Sequence, residues 1–467
     1  MKKILLTTIL ILGVWMALGQ TAEETLLLRS PSVSQDNVCF AYAGDIWTAD
    51  RNGNHVQRLT VHQGVESRPM FSPDGKWVAF SGSYEGNTDV YVVSSEGGMP
   101  QRVTYHPSTD ILRGWNGNEE LIFASSRKSN SGRYARLFTV EREGSLPQVL
   151  PIPEAHQGKI SPRGDYTAYI KNPDPSEGMG TYRPFKHYRG GNTPKIWIFN
   201  NDTYEIKEIP PAGSNNTHPV WTDEQTVWFL SDRNGYSNIF RYDRQTEQIS
   251  QITNFEDFPV KNLYSNGQTL AFEQGGRIHL YDVEQGEVKT LHIDVNPDLP
   301  YKRAHYEEGR DYIRHFALSP TGVRAVMGVR GDIFTIPSEK GDIRNITESP
   351  GTHDRFPAWS PDGEKIAWFS DATGEYRLMI NDQKGAGEAT SIAFEDPSFY
   401  HGPWWSPDSK KLVFYDKHLN LYYLDLDEQE PVQIDRDIYA NPMPKFTPDW
   451  SPDSKWITYT RRLENQL

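Results

Sequence analysis

The sequence has almost no cysteine, no long hydrophobic segment after its first twenty residues and no excess of basic charge. Its single cysteine, Cys39, excludes an internal disulfide framework and a cysteine-based zinc site. Acidic residues number 62 against 48 basic ones, and a net charge of −14 disfavours a general nucleic-acid binder, because phosphate affinity requires a basic face. The sequence also lacks a serine-hydrolase nucleophile elbow, a His-Glu-x-x-His motif and a phosphate-binding loop. We therefore assign no catalytic, cofactor-binding or metal-binding residue to this chain.

The only long apolar run lies at the start of the chain. Lys2 and Lys3 precede apolar residues 4–18, and small residues at 17 and 19 resemble a cleavage site. This layout predicts a secretory signal peptide over residues 1–19, with an uncleaved anchor as the alternative. We expect an exported protein, periplasmic or extracellular, with no membrane span once the signal is removed.

The chain repeats itself. The tetrad Ser72-Pro73-Asp74-Gly75 returns in similar form at residues 161–164, 319–322, 360–363, 406–409 and 451–454. From residue 319 onward the successive serines are 41, 46 and 45 residues apart. With weaker copies included, ten repeat starts can be counted. Such a period is typical of β-propeller blades.

Each full copy has the same internal order. A turn follows Phe71, and three short β-branched or aromatic runs succeed it at residues 77–80, 89–93 and 101–104. Proline presets the turn backbone and glycine accepts the positive φ at its exit. Four short strands per period predict a propeller blade, against the alternative of a sandwich or a loose set of hairpins.

Ten blades exceed the usual size of one ring, so we predict an all-β fold of tandem β-propellers. The spacing widens between residues 265 and 319, where a polar and weakly patterned stretch intervenes. We predict a six-bladed propeller over 25–292, a linker over 293–311, and three to four blades of a second propeller over 312–467. We expect the first ring to close by packing, since both of its terminal modules contain four strands. The second ring is expected to be incomplete, and the chain to be a piece of a longer protein.

Three features resemble functional sites without meeting their requirements. Asp425-x-Asp427 resembles part of a calcium loop but lacks the required glycine and glutamate, so a solvated turn is favoured. The turn aspartates, such as Asp74, repeat in many blades, which favours a structural role. An insertion over 173–191 interleaves basic and aromatic residues, including Lys186 and Arg189. It is either a peptide- or RNA-binding segment or, as we favour, a loop packed on its blade.

This insertion carries a family resemblance. Phe185-Lys186-His187-Tyr188-Arg189-Gly190-Gly191, followed by Lys195-Ile196-Trp197-Ile198, resembles the fourth blade of tricorn-like serine proteases. Similar stretches lie at residues 123–127, 331–337 and 353–363. The resemblance implies a six-bladed propeller before a seven-bladed one, followed by a PDZ domain and a serine-peptidase core. The serine nucleophile and the histidine would lie beyond residue 467.

The resemblance also implies a role for the propellers. In that family they gate or channel peptides to and from the active site, so peptides or unfolded polypeptide are the expected partners, with a homo-oligomer possible. An adjacent arginine pair is associated with the substrate carboxylate, whereas the matching stretch here holds only Arg113. We therefore assign no substrate anchor. Two alternatives stay open: a non-catalytic TolB-like propeller that binds envelope proteins, and a propeller-bearing hydrolase of another type.

Overall fold

The computed structural model describes residues 24–129, 134–172, 189–299, 303, 305–437 and 446–461. The predicted signal peptide and residues 173–188 of the insertion lie outside the described residues. The chain divides into two compact units, Met1–Pro300 and Tyr301–Leu467. This division falls inside the stretch that the repeat spacing marks as a linker.

The first unit holds 24 described strands in six four-stranded antiparallel sheets. Sheets one to three comprise β1 Arg29–Val33, β2 Asn37–Tyr42, β3 Asp45–Asp50, β4 Gln57–Arg58, β5 Glu66–Phe71, β6 Trp77–Gly82, β7 Asp89–Ser94, β8 Gln101–Arg102, β9 Asp110–Asn116, β10 Glu120–Ser125, β11 Arg136–Glu141 and β12 Gln148–Val149. Sheets four to six comprise β13 Gln157–Ile160, β14 Tyr166–Ile170, β15 Ile196–Asn200, β16 Ile206–Glu208, β17 Asn216–Trp221, β18 Thr226–Ser231, β19 Asn238–Asp243, β20 Ile249–Gln251, β21 Lys261–Ser265, β22 Thr269–Gln274, β23 Arg277–Asp282 and β24 Val288–Leu291.

The recurrent tetrad forms the turn between the first two strands of a sheet. The Ser72 hydroxyl donates to a carboxylate oxygen of Asp74 at 2.6 Å and accepts from the backbone N–H of Trp77 at 3.0 Å. Gly75 has φ of +72°, a conformation that glycine adopts without strain. The backbone N–H of Asp74 donates to the Asn118 side chain in the turn of the next sheet at 3.0 Å.

The same bond between turns of neighbouring sheets recurs along the chain. The Asp362 backbone N–H donates to the Ser409 hydroxyl at 3.0 Å, and that of Asp408 donates to the Ser454 hydroxyl at 3.1 Å. The structural role predicted for the turn aspartates is therefore confirmed at these turns: each organises its own turn and links it to the next sheet.

A second recurrent feature is a hydrogen-bond network that joins the third strand of a sheet to the segment of its fourth strand. The Thr104 hydroxyl accepts from the backbone N–H of Val90 at 3.0 Å and donates to the Asp89 carboxylate at 3.2 Å. Arg102 pairs with the same carboxylate at 2.7 Å. Matching threonine–backbone bonds join Thr60 to Ile46, Thr253 to Ile239 and Thr347 to Ile333.

Replacing Thr104 by valine should destabilise the first unit by about 1–3 kcal/mol. The substitution leaves the buried N–H of Val90 without an acceptor and removes a donor from the buried carboxylate of Asp89. Chemical denaturation followed by tryptophan fluorescence measures the change. Thr203→Val, at an exposed turn hydroxyl, is the matched control and should change stability by less than about 0.5 kcal/mol. Equal effects of the two substitutions would contradict the assigned role of the network.

The six sheets of the first unit follow one another in a closed cycle. The first strand of each sheet contacts the first strand of the next, and β1 contacts β21 and β22 of the sixth sheet. Strand β1 nevertheless pairs with β2, so the ring closes without a shared strand, as predicted. The seam is held by a backbone bond from Leu28 to Gly276 at 3.2 Å, by an ion pair between Glu24 and Arg277 at 2.7 Å, and by a common apolar core.

The second unit continues the same pattern. It contains a 3₁₀ helix at Gly309–Tyr312 and the strands β25 Ile313–Leu318, β26 Arg324–Val329, β27 Asp332–Pro337, β28 Arg344–Asn345, β29 Arg355–Trp359, β30 Lys365–Ser370, β31 Arg377–Asp382, β32 Thr390–Ile392, β33 Tyr400–Trp405, β34 Lys411–Asp416, β35 Asn420–Asp425, β36 Pro431–Arg436, β37 Asp449–Trp450 and β38 Ile457–Thr458. These strands form three four-stranded sheets and one two-stranded sheet among the described residues. The predicted all-β class is confirmed. Within the described ranges we find no helix long and apolar enough to cross a membrane.

Candidate axial binding site

The first strands of the six sheets surround the axis of the first unit, and five of them carry a register shift. In four strands the shift falls at equivalent places, between Arg29 and Ser32 in β1 and correspondingly in β5, β17 and β21, whereas in β9 it falls at Arg113. Each of the four equivalent bulges contains a residue with positive φ: Ser30 at 50°, Arg68 at 56°, His218 at 51° and Asn262 at 49°. Bulges and left-handed non-glycine residues are enriched next to functional sites, where they re-aim side chains.

A cavity of about 50 Å³ lies among these strands, and all six contribute to its lining. The cavity is lined by residues that include Ser30, Arg68, Arg113, Gln157, His218 and Asn262. No aspartate or glutamate belongs to the lining, whereas Arg68, Arg113 and Lys159 do. The residue composition of the lining is therefore basic.

Three long side chains meet at one level of the cavity. Met70, Lys159 and Tyr264 occupy the same register position in their sheets, since each pairs with an alanine of the second strand. The Lys159 Nζ lies 3.6 Å from the Met70 Sδ and 5.6 Å from the centre of the Tyr264 ring. The three belong to the second, fourth and sixth sheets, which are not neighbours in the cycle, so their contact crosses the axis.

Gly114 in β9 makes room for the lysine. A Cβ at this position would lie 2.8 Å from the Lys159 Nζ, closer than such atoms approach. The amine therefore occupies the space that a side chain of the third sheet would fill. Tyr264 is fixed from the other side, because its hydroxyl donates to the backbone oxygen of Phe71 at 3.1 Å.

The surroundings of Lys159 disfavour its charge. Burial, and to a smaller extent the positive charge of Arg113, lowers the pKa of Lys159 to about 7. Burial raises the pKa of Tyr264, so the phenol stays neutral and remains a donor. Glu273, behind the lining, accepts hydrogen bonds from the Ser30 backbone N–H and the Asn262 side chain.

Some residues near the axis could be found from the sequence and others could not. The strands ending at Phe71, Trp359 and Trp405 are the first of their sheets, and these three end residues are buried between sheets. Arg113, noted from the sequence only as a lone arginine, lies in the axial cavity. Sequence reasoning missed Arg68, Lys159 and His218. A signal was present, because Arg68 lies four residues before Ser72, and His218 lies four residues before Thr222, which follows the first strand of its sheet in the same way.

The other sequence features lie away from this cavity. Asp425 accepts the backbone N–H of Asp427 at 3.0 Å in the turn after β35. Arg189, at the described end of the insertion, pairs with Asp232 at 3.1 Å, whereas Lys186 lies outside the described residues. In the described ranges, no cluster of three or more histidine, cysteine, aspartate or glutamate residues is arranged to hold a metal ion. Cys39 is buried and free, and burial raises its pKa to about 12.

Comparison with known proteins places these propeller sheets in a family. The model of the tricorn protease N-terminal β-propeller domain matches residues 25–287, more than half of the chain. The chain belongs to the tricorn protease N-terminal β-propeller family. It is 25% identical over 434 residues to a tricorn protease homolog of Saccharolobus solfataricus, covering 92% of this chain and 38% of that protein. It is 24% identical over 282 residues to the tricorn protease of Thermoplasma acidophilum, covering 57% of this chain and 25% of that protein.

The comparison with solved structures also finds a tricorn protease. The crystal structure of the tricorn protease superposes with a TM-score of 0.60 at 21% identity, covering 94% of this chain and 42% of that one. A Tol-Pal system protein TolB of Francisella tularensis is 23% identical over 159 residues, covering 32% of this chain and 37% of that protein. The chain thus spans less than half the length of the tricorn proteins that it matches.

Proposed function

We propose that this chain is the propeller portion of an exported tricorn-like serine peptidase and that its axial cavity receives one end of an extended peptide. The peptidase active site would lie outside residues 1–467. The observation that carries the proposal is the convergence of all six first strands of the first unit on one cationic cavity.

Steric and electrostatic arguments support a peptide as the ligand. A cavity of about 50 Å³ is too small for a folded domain, so the proposed ligand is no wider than a single extended chain. Arg68 and Arg113 in the lining favour an anionic group over a neutral or basic one. The propeller would therefore gate peptides by their width and by the charge of the end that enters.

Export is the second component of the proposal. It rests on the basic, apolar and small-residue segments of residues 1–19, which are typical of a secretory signal. Fractionation of cells producing the full chain, with amino-terminal sequencing of the product, tests it. Recovery of uncleaved chain in the cytosolic fraction would contradict export.

Peptide binding by the full 467-residue chain tests the proposed function. Fluorescence anisotropy with amino-terminally labelled, unstructured peptides should show saturable binding, and a folded protein domain should not compete. Arg113→Met should weaken binding at least about tenfold, because it removes one lining cation. The control is Lys207→Met. Lys207 is an exposed residue of the fourth strand β16 and pairs with Glu247, so this variant should bind peptide like the parent chain. Absence of peptide binding would contradict the proposal.

A TolB-like role in binding envelope proteins is the second candidate. It is favoured by the similarity to TolB over 159 residues. Under this alternative a folded envelope protein, rather than an unstructured peptide, would bind the chain, and Arg113→Met would leave peptide affinity unchanged.

A further inference from the structure

We propose that the axial cavity of the first unit is a binding site for carbon dioxide, in which the Lys159 amine holds the molecule covalently as a carbamate and Arg113 stabilises the negative charge of the adduct. Three features of the cavity support this site: the seating of the amine, the space beside it and the charges that surround it. The modification is independent of the peptide binding proposed above, because it requires only the lysine and its surroundings.

The Lys159 amine lies at the axis beside uncharged groups. Its Nζ is 3.6 Å from the Met70 sulfur and 5.6 Å from the centre of the Tyr264 ring. Gly114 presents no side chain to it, and a Cβ there would lie only 2.8 Å from the Nζ. The thioether and the ring replace little of the hydration that an ammonium ion loses on burial, so this position favours the neutral amine.

The cavity leaves room for a small molecule next to the amine. Lys159 is one of the lining residues and keeps partial exposure. The cavity volume of about 50 Å³ is several times the roughly 10–15 Å³ that one water molecule needs. A triatomic molecule such as carbon dioxide therefore fits beside the Nζ.

The charges around the amine keep it in its nucleophilic form. Burial, and to a smaller extent the positive charge of Arg113, lowers the pKa of Lys159 to about 7. Among the described residues, the other titratable groups of the lining lie on separate strands, namely Arg68 in β5, His218 in β17 and Tyr264 in β21. Glu273, behind the lining, accepts hydrogen bonds from Ser30 and Asn262. Above about pH 7 the Lys159 amine is therefore mostly neutral, whereas an ordinary lysine is protonated.

The same charges select the kind of adduct. A protonated imine, formed with an aldehyde, would return a positive charge to a place where burial and Arg113 disfavour it. An acetyl group would leave the lysine neutral and gain nothing from the arginine. A carbamate carries one negative charge, and Arg113, which lines the same cavity and is only 4% exposed, is weakly screened and attracts it. A carbamate is therefore the adduct that this lining stabilises.

Carbon dioxide is the only co-reactant that the modification requires. The lone pair of the neutral Nζ attacks the carbon atom, an N–C bond forms, and one C=O electron pair moves onto oxygen. The nitrogen then releases one proton to solvent, which leaves a carbamate anion with no change of oxidation state. Because only the neutral amine reacts and a proton is released, occupancy at a fixed concentration of dissolved carbon dioxide should rise with pH.

Trapping and mass spectrometry of the full 467-residue chain test the site. The chain is equilibrated at pH 8 with isotopically labelled bicarbonate and carbon dioxide, and a trialkyloxonium salt then esterifies carbamates so that they survive digestion. We expect the label at Lys159, with an occupancy at least about tenfold above that of Lys207, because an ordinary lysine is almost fully protonated at this pH. Lys207 is exposed and pairs with Glu247. Degassing before the trapping step should abolish the label.

Three variants separate the lysine from its surroundings. Lys159→Arg keeps a positive charge but offers no neutral amine, so the carbamate resonance of this site should vanish from the carbon NMR spectrum. Arg113→Met should lower the occupancy of Lys159 at least about threefold at pH 8, because it removes the counter-charge of the carbamate. Lys207→Met is the matched control and should leave the occupancy of Lys159 unchanged. Circular dichroism verifies folding of each variant.

The comparison of two lysines within the parent chain decides the proposal even if a variant fails to fold. No labelled carbamate at Lys159, or equal occupancy at Lys159 and Lys207, would overturn the carbon dioxide site. An unchanged occupancy in folded Arg113→Met would overturn the role of the arginine in stabilising the adduct. Because the label is read without any peptide, failure of this site and failure of the proposed peptide binding are distinguishable.

Discussion

Replacing Arg127 by methionine should destabilise the first unit by about 3–5 kcal/mol, since removal of one partner from a buried ion pair leaves the other charge uncompensated. The Arg127 guanidinium donates to the carboxylate of Asp110, whose side chain is fully buried. The guanidinium also lies 5.0 Å from the Phe123 ring centre and 5.6 Å from that of Phe138. Methionine fills much of this apolar space but supplies no charge.

The pH dependence of this variant has a definite sign. Burial already raises the pKa of Asp110, and Arg127 opposes that rise. Without the arginine the pKa of Asp110 in the folded state rises further above its unfolded value. Stability is then retained at low pH, where the carboxyl is neutral, and is lost as pH increases through the folded-state pKa. The deficit of Arg127→Met should therefore be smaller near pH 5 than near pH 7.5.

Denaturant titrations at the two pH values measure this effect. Adding Asp110→Asn to Arg127→Met should recover part of the lost stability at pH 7.5, because the neutral amide removes the buried charge. Lys207→Met, which breaks an exposed ion pair, should cost no more than about 1 kcal/mol. A pH-independent deficit, or no recovery in the double variant, would show that Arg127 acts through packing alone.

Local chemistry made the repeated sheets predictable from sequence. The tetrad Ser72-Pro73-Asp74-Gly75 specifies its turn through contacts within six residues, so each copy can be identified without knowledge of the rest of the fold. The run Gln101-Arg102-Val103-Thr104 similarly bonds to the adjacent strand of its own sheet. The family resemblance placed these sheets among tricorn propellers, and the match over residues 25–287 confirms that assignment.

The axial site could not be predicted in the same way. Lys159 and Met70 are 89 residues apart, and Tyr264 comes from the last sheet of the cycle, so their contact exists only when the ring is closed. The bulges that place Arg68 and His218 at the axis shift the register within a strand, and the side-chain alternation of the sequence does not reveal them. The shared position of Arg68 and His218 within their repeats was a partial signal for the site. Which side chains come into contact at the axis is determined only by the closed ring.

Ring closure itself gives the second large effect: Gly53→Ala should destabilise the first unit by about 2–5 kcal/mol. Gly53 has φ of +87°, and a Cβ there would lie 2.5 Å from the backbone oxygen of His292, which follows the last strand of the sixth sheet. The left-handed backbone contributes roughly 1–2 kcal/mol, and displacement of the carbonyl contributes about 1–3 kcal/mol. Because no strand is shared across the seam, this close backbone approach is part of what joins the first sheet to the sixth.

Gly86→Ala separates the two contributions to the Gly53 effect. Gly86 has φ of +90°, but a Cβ there would contact nothing within 4 Å, so Gly86→Ala should lose only the free energy associated with the left-handed backbone. The difference between the two variants in denaturant titrations should be about 1–3 kcal/mol. Hydrogen exchange should also increase in β1 and β24 of Gly53→Ala and remain unchanged there in Gly86→Ala. Equal destabilisation by the two substitutions, without increased exchange at the seam, would mean that the close approach at Gly53 does not help to join the first sheet to the sixth.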